Sequence, residues 1–310
     1  MADLEDHHPF TVEHTGAASG ELDSPEQPLR LDESTRAQAL LAAQPVVEGH
    51  TEPPLVFDPE DLPPVRAAEV AAQLWSLRTP PDEGVIGTLR RIDGIRALVA
   101  ACPEDLRLAQ TTAEMAHAVN CGRVAAVLGP VSWSAVAGSI AALRAYHALG
   151  VRAVNLTRFD GFAREAVREM NRLGLVVDLS GADPESVRRT LSLTRAPVLL
   201  TRAEPEELRE LPDDVLGLLG GNGGVCMVPV TEDPSVAADA LDRVRALAGP
   251  HCVGLSHTTD PATGYAPLFA ELLRRDWPAP DLVALSHDNA TRTLREAEFL
   301  SRTKRLRGAA

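Results

Sequence analysis

Short apolar runs alternate with amphipathic segments along most of the chain. The apolar runs are of strand length and rich in Val, Leu and Ala, whereas apolar positions in the segments between them recur at helical spacing. This pattern predicts eight strands, at residues 45–47, 71–75, 124–128, 153–157, 175–179, 197–201, 224–230 and 252–256.

The amphipathic segments between these runs predict helices. Clear examples lie at residues 84–101, 134–149, 162–173, 184–194, 236–248 and 265–274. The Asp-Pro pairs at 183–184 and 233–234 place an N-cap and a first-turn proline where two of these helices begin. Gly150 and Gly174 are placed to end helices just before a strand.

Eightfold alternation of strands and helices is typical of the α/β class, and specifically of a (β/α)8 TIM-type barrel. A doubly wound sheet is the alternative. We prefer the barrel because no GxGxxG motif follows the first predicted strand and because eight units fit barrel closure. In such a barrel the chemistry lies at the C-terminal ends of the strands, so the residues that follow each strand are the candidates for function.

The chain begins with an acidic segment that has little apolar pattern, which predicts disorder. Residues 30–43 (RLDESTRAQALLAA) predict a short helix, with Asp32 or Ser34 as its N-cap, that covers one end of the main domain. We therefore expect residues 1–44 to form an acidic arm plus a helix, and residues 45–310 to form the barrel domain.

Composition narrows the class of protein. The 310 residues suffice for one large domain, and 44 acidic against 30 basic residues give a net charge of −14. This charge argues against nucleic-acid binding and against attachment to anionic membranes. The four cysteines form no CxxC pair, so we expect reduced, mostly buried thiols. No apolar stretch reaches the length of about 18 residues that a membrane helix needs, and the first residues lack an apolar signal core, so we expect a cytoplasmic protein.

The clearest candidate chemistry follows the first predicted strand. His50 and Glu52 lie two residues apart, so in extended chain both side chains point the same way. An imidazole and a carboxylate at this spacing can chelate a divalent metal ion. The alternative is a surface histidine beside a glutamate.

Several longer stretches carry a family resemblance that covers about residues 46–298. Residues 164–180 read REAVREMNRLGLVVDLS, which is similar to REVVREMNRLGMLVDLS of the membrane (renal) dipeptidases, the two-zinc barrel peptidases. Five shorter matches resemble the same family: AQLWS at 72–76, RAPV at 195–198, LPDD at 211–214, GNGGV at 221–225, and EGHTE at 48–52, where the family has DGHND.

The resemblance implies two zinc ions, held by a His and an Asp after the first strand, a bridging Glu, two further His and a late Asp. His50 matches the first His, and Glu52 stands in place of the Asp. The remaining positions hold side chains that do not bind zinc: Val131 for the bridging Glu, Gly181 and Arg202 for the two His, and Thr258 for the late Asp.

Two further positions are implied to face the substrate. Arg158 replaces a family His, and Arg209 matches the family's Arg that binds the substrate carboxylate. Because His50 and Glu52 alone fall short of the three ligands of a catalytic zinc, we expect no cofactor. If a one-metal site persists, zinc would be its metal, with His257 or Asp260 brought in by a shifted turn.

The arginines suggest a different use for the C-terminal end of the barrel, which we call the barrel mouth. The guanidinium of Arg202 would take the position of a zinc ion and pair with Glu52, and Arg158 and Arg209 would add positive charge. Such a mouth would bind a small anionic molecule. The alternative is that the arginines only pair with local acids: Glu204 and Glu206.

The sequence therefore favours a dipeptidase-like protein without catalytic activity. It would act as a partner or regulator of an active relative, as a homodimer or as a heterodimer with an active paralogue, or as a binder of a small anion or a dipeptide. The alternative is an active hydrolase of dipeptides or small amides with a reduced one-metal site.

Overall fold

The apolar runs of the sequence form parallel strands in a computed structural model that describes residues 32–52, 69–258 and 264–308. Within these ranges there are nine strands: β1 Val46–Thr51, β2 Val70–Leu77, β3 Leu106–Leu108, β4 Val124–Val131, β5 Ala153–Asn155, β6 Val176–Asp178, β7 Leu199–Leu200, β8 Val225–Val230 and β9 Val253–Thr258. All eight predicted runs contain a strand, and β3 was not predicted.

The sheet closes on itself. β2 pairs with both β1 and β4, β1 also pairs with β9, and each of the strands from β4 to β9 pairs with the next. Eight parallel strands therefore form a barrel, as predicted, and the doubly wound alternative is wrong. β3 runs beside only the first residues of β4, before β5 takes the same side.

Helices surround the barrel, and the described residues contain thirteen of them. They are α1 Glu33–Ala43, α2 Gly84–Ala101, α3 Thr112–Asn120, α4 Trp133–Val136, α5 Ile140–Ala148, α6 Ala163–Leu173, α7 Pro184–Leu193, α8 Pro205–Glu210, α9 Asp213–Asn222, α10 Pro234–Ala248, α11 Ala266–Arg274, α12 Ala279–Val283 and α13 Asn289–Gly308.

Capping residues mark several helix ends. The side chains of Asp183 and Asp233 accept backbone N–H bonds at the starts of α7 and α10, each followed by a first-turn proline, as predicted. Gly174 ends α6 with φ of +83°. The helix predicted at 134–149 is wrong in one respect, because Ala137 and Gly138 adopt φ of +52° and +63° and split it into α4 and α5.

Two hydrophobic clusters fill the fold. The larger lies between strands and helices, and the smaller fills the barrel with small and medium side chains such as Ala72, Ala125, Val127 and Met227. Helix α1 packs against α11 and buries Ala37 and Leu41. The acidic arm that precedes it lies outside the described residues. No helix in the described ranges has the length and apolar character needed to cross a bilayer.

Candidate functional site at the barrel mouth

An irregularity at the end of β1 sets the direction of its side chains. Glu48 pairs with Gln73 of β2 and Thr51 with Trp75, so three steps along β1 match two along β2. This extra residue is a bulge. The hydroxyl of Thr51 donates to the Glu48 carboxylate (3.1 Å), so these two side chains share one side of the strand.

Glu48 is a buried carboxylate that the sequence analysis did not single out. Gln73 Nε2 donates to its Oε2 at 2.6 Å, and the hydroxyl of Tyr265 donates to its Oε1 at 2.5 Å. Burial raises the pKa of Glu48, and these donors partly offset that effect. The network joins β1 to β2 and to the residue that precedes α11, and it fixes the base of the β1 end.

His50 is the central group of the mouth. Its side chain is only 3% exposed, and neither ring nitrogen has a hydrogen-bond partner in the described structure. Its Nε2 lies 3.4 Å from Oε1 of Glu52, which is near enough for attraction but out of line for a hydrogen bond. The predicted proximity of these two residues is therefore confirmed, with Glu52 turned largely to solvent.

His50 is held neutral at physiological pH. Burial lowers its pKa to about 4, and the Glu52 charge offsets only part of that effect. Positive charge on Arg202 and Arg78, and on His257 when it is protonated, lowers the pKa of His50 further. His50 therefore offers one N–H donor and one lone pair to the mouth.

His257 lies on β9, with its ring centroid 6.0 Å from that of His50. The hydroxyl of Ser256 donates its proton to the Thr201 carbonyl (2.7 Å) and lies 3.1 Å from His257 Nδ1. Since that hydroxyl has no second proton, Nδ1 of a neutral His257 carries the hydrogen and Nε2 carries the lone pair. Burial lowers the pKa of His257 as well.

The predicted pairing of Arg202 with Glu52 is not what the structure shows. The Nε of Arg202 donates instead to Oε1 of Glu204 at 2.5 Å. The reason is local: Glu204 lies two residues away on the same segment, whereas Glu52 projects into solvent from β1. The backbone N–H of Arg202 is held by Ser180 Oγ at 3.0 Å.

The other two predicted arginines lie in the open. Arg158 is an exposed residue in the segment after β5. Arg209 lies on α8 with its side chain 56% exposed, and its Nη1 is 3.6 Å from Oε1 of Glu206. The local ion pairs considered as the alternative therefore account for both Arg202 and Arg209.

Sequence reasoning missed Arg78, which directly follows β2. The register Leu77 to Val131 places it at the ends of β2 and β4, and the register Trp75 to Thr51 places it near the end of β1. A cation immediately after a barrel strand was a usable signal, because every such position faces the mouth region.

The positions that resemble ligand sites are spread over different environments. Val131 is fully buried within the larger hydrophobic cluster. Gly181 has φ of +70° with open space where a Cβ would stand. Thr258 is the last residue of β9, and its side chain, like all of Asp260, lies outside the described residues.

A second buried acid supports this side of the mouth. Asp178, at the end of β6, is fully buried and accepts bonds from Asn155 Nδ2 (2.9 Å), the Ser180 hydroxyl (2.6 Å) and the Thr201 backbone N–H (2.9 Å). These bonds use both carboxylate oxygens, so Asp178 serves to hold three strand ends together.

A cavity of about 360 Å³ lies beside Gly181 and Arg202, between the ends of β6 and β7 and the helices α7 and α8. Leu179, Val187 and Leu208 contribute to its apolar wall. The geometry thus provides one buried imidazole, a facing histidine, two nearby guanidinium groups and an adjoining apolar cavity.

Comparison with known proteins decides the family. The model of membrane dipeptidases (peptidase family M19) matches residues 34–162 and 159–308. The chain belongs to the membrane dipeptidase family. Dipeptidase 3 of Macaca fascicularis is 30% identical over 86% of this chain and 68% of its own length. Dipeptidase aclJ of Aspergillus oryzae is also 30% identical, over 78% of this chain and 71% of its own length.

Solved structures show the same fold. The probable dipeptidase PvdM from Pseudomonas aeruginosa superposes with a TM-score of 0.79 at 16% identity, over 86% of this chain and 99% of that one. A metallo peptidase from Rhodobacter sphaeroides, solved with a phosphinate mimic of the dipeptide L-Ala-D-Ala, gives a TM-score of 0.73 at 17% identity, over 82% of this chain and 99% of that one.

Zinc is the metal of the membrane dipeptidases, and the residues present do not fit a two-zinc centre. Two zinc ions close together need a bridging anionic ligand, and Val131 offers neither charge nor lone pair. Gly181 has no side chain, and Arg202 is a permanent cation already paired with Glu204. Among the described residues no three His, Cys, Asp or Glu side chains converge to hold a metal ion.

Proposed function

We propose that this member of the membrane dipeptidase family does not hydrolyse dipeptides and instead binds a small anionic ligand at the barrel mouth. The observation that carries the proposal is the pair Val131 and Arg202. A buried aliphatic side chain and a guanidinium occupy positions where the family resemblance calls for a bridging carboxylate and an imidazole.

The charge balance of the mouth supports the same view. A two-zinc centre concentrates positive charge and needs anionic ligands to offset it. Here the bridging position is aliphatic, and cationic side chains lie near His50 instead. Arginine side chains attract an anionic ligand, whereas zinc ions would also activate a water molecule. A mouth with arginines in place of zinc ions therefore favours binding of an anion over hydrolysis.

A second candidate function rests on His50 and His257. Both imidazoles are neutral, the Nε2 of His257 carries a lone pair, and Glu52 lies beside His50. These groups would supply a reduced one-metal site if Glu52 moved toward them. In that case the protein would be a hydrolase of dipeptides or small amides.

Association with a second copy or with an active paralogue is a further part of the proposal. A fold that keeps the family's barrel while changing the mouth is suited to regulating a catalytic relative. Light scattering on the purified protein, alone and mixed with an active relative, would show whether either complex forms.

Metal content and hydrolysis separate the two candidates. We expect purified protein to contain well below one zinc per chain by mass spectrometry, and no cleavage of dipeptides with zinc added. One zinc per chain, with hydrolysis that is lost in His50→Ala but kept in the exposed-site control Arg168→Gln, would establish the one-metal hydrolase instead.

A further inference from the structure

His50 is a buried side chain whose ring nitrogens lack hydrogen-bond partners in the described structure. A buried polar group without a hydrogen bond destabilises the fold, and His50 has two such nitrogens in the described structure. Buried polar groups are nearly always paired in native proteins, so each exception needs an explanation. A ligand oxygen that accepts the N–H of His50 would supply the hydrogen bond that this nitrogen lacks.

Two arginines follow strands whose ends lie near the end of β1. Arg78 follows β2, which pairs directly with β1, and it is half-buried. Arg202 follows β7 and is 44% exposed, with the Nε used by Glu204. Gly49 lies against the Thr201 carbonyl, so the segments that carry His50 and Arg202 are neighbours, and the positive charges of both arginines lower the pKa of His50.

We propose that His50 and Arg78, completed by the Nη groups of Arg202, form an oxyanion site at the barrel mouth. The ligand is a carboxylate or phosphate group of a small molecule, and the neutral imidazole contributes its N–H. The inference rests on the proposed function, and it assigns the anion to Arg78 rather than to the exposed Arg158 and Arg209.

The carboxylates that face the same space limit the strength of the site. Glu52 has its side chain 59% exposed and Glu204 31% exposed, so both lie toward the solvent side. Their charges offset those of the two arginines. Selectivity for an anion therefore depends on directed N–H groups at the buried end of the mouth, where His50 and Arg78 lie, more than on net charge.

His257 does not belong to the oxyanion contacts. Its Nε2 is a lone-pair acceptor because Nδ1 carries the hydrogen, and two acceptors repel. A ligand oxygen that carries a proton, as in hydrogen phosphate, would be able to donate to it. Phosphate is therefore a better probe of the complete site than acetate.

The test is isothermal titration with inorganic phosphate and with acetate. We expect wild type to bind phosphate, and Arg78→Gln to weaken binding by about tenfold or more, which is the loss for removing one charge-assisted hydrogen bond. Arg168→Gln, an exposed arginine on α6, is the matched control and should bind as wild type does. Thermal unfolding of each variant verifies folding.

A second readout follows the wild-type protein, and a variant is used only to assign the signal. With 15N-labelled histidine, a ring nitrogen signal of His50, assigned by its loss in His50→Gln, should shift during phosphate titration. Absence of that shift while phosphate binds would overturn the inference.

Failure of the inference and failure of the proposed function give different results. If wild type binds neither anion, the ligand-binding function and the site fall together. If wild type binds, Arg78→Gln binds equally well and Arg209→Gln loses affinity, the ligand-binding function stands and the assignment to Arg78 and His50 is wrong.

Discussion

Replacing Val131 by Glu tests whether the mouth has lost single ligands or has repacked around their loss. Val131 is fully buried, and it lies in register with Leu77 on one side and Val154 on the other. A carboxylate introduced there would stand within the larger hydrophobic cluster. We therefore expect Val131→Glu to destabilise the fold instead of restoring a metal ligand.

The magnitude follows from the burial. An uncompensated buried charge lowers the free energy of unfolding by about 3–5 kcal/mol. Val131→Thr keeps the shape and adds only a hydroxyl, so it should lower that free energy by about 1–3 kcal/mol. The difference between the two variants reports the charge together with the greater length of the glutamate side chain.

Urea denaturation at neutral pH, with and without excess zinc, measures both effects. A ligand that binds only the folded state raises the free energy of unfolding, so zinc would rescue Val131→Glu if a site formed. A stability within about 1 kcal/mol of wild type, together with a further gain on adding zinc, would refute the view that the site has repacked.

Three further predictions address the packing that supports the mouth, each measured by urea denaturation. The pKa of Glu169 is lowered to about 2, first by its hydrogen bonds to an arginine of its own helix. A carboxyl group with a lowered pKa stabilises the fold at pH values above its pKa in the unfolded chain, and this stabilisation is lost as the pH falls toward its pKa in the folded protein. Glu169→Gln should therefore cost about 1–3 kcal/mol at pH 7, after allowance for its half-exposed arginine partners, and little near pH 2; an equal loss from the exposed control Glu165→Gln would contradict this. Asp178→Asn should cost about 1–3 kcal/mol, because its new NH2 group would face the amide nitrogen of Asn155 in place of the accepting Oδ2; unchanged stability would show that the amides reorient freely. Gly49→Ala should cost about 1–3 kcal/mol, since a Cβ there would lie 2.8 Å from a backbone carbonyl oxygen just after β7, and a neutral result would mean that the barrel interior yields.

Much of the fold was predictable because its signals are local. The bounds of α2 match the prediction, and α6 and α7 match within one residue, with Gly174 at the end of α6 and the pair Asp183-Pro184 at the start of α7. The split between α4 and α5 was not predicted, because Ala137 is an ordinary helix former and its residue type does not indicate the left-handed conformation that it adopts. The strand β7 is only two residues long, which is shorter than the apolar run predicted at residues 197–201.

The candidate site was less predictable because it depends on side-chain partners. Spacing correctly placed His50 beside Glu52. It did not show that Arg202 would pair with Glu204, since two acids lay within reach and the choice depends on where each side chain exits the barrel. Arg78 was missed because its role follows from the register between strands, which the sequence does not state.

If the mouth has lost its metal ions as proposed, three of its residues argue that it has been remodelled as well as depleted. Gly181 adopts φ of +70°, a conformation in which a histidine would be strained by roughly 1 kcal/mol or more. Val131 has become part of the hydrophobic cluster, and Arg202 has an ion-pair partner of its own. Restoring any one ligand would therefore disturb local structure before it could hold a metal ion. A site that had only lost its ligands would leave their surroundings ready to receive them, whereas here Val131 lies in the hydrophobic cluster, Arg202 lies in an ion pair, and Gly181 keeps open space but a backbone conformation that strains a histidine.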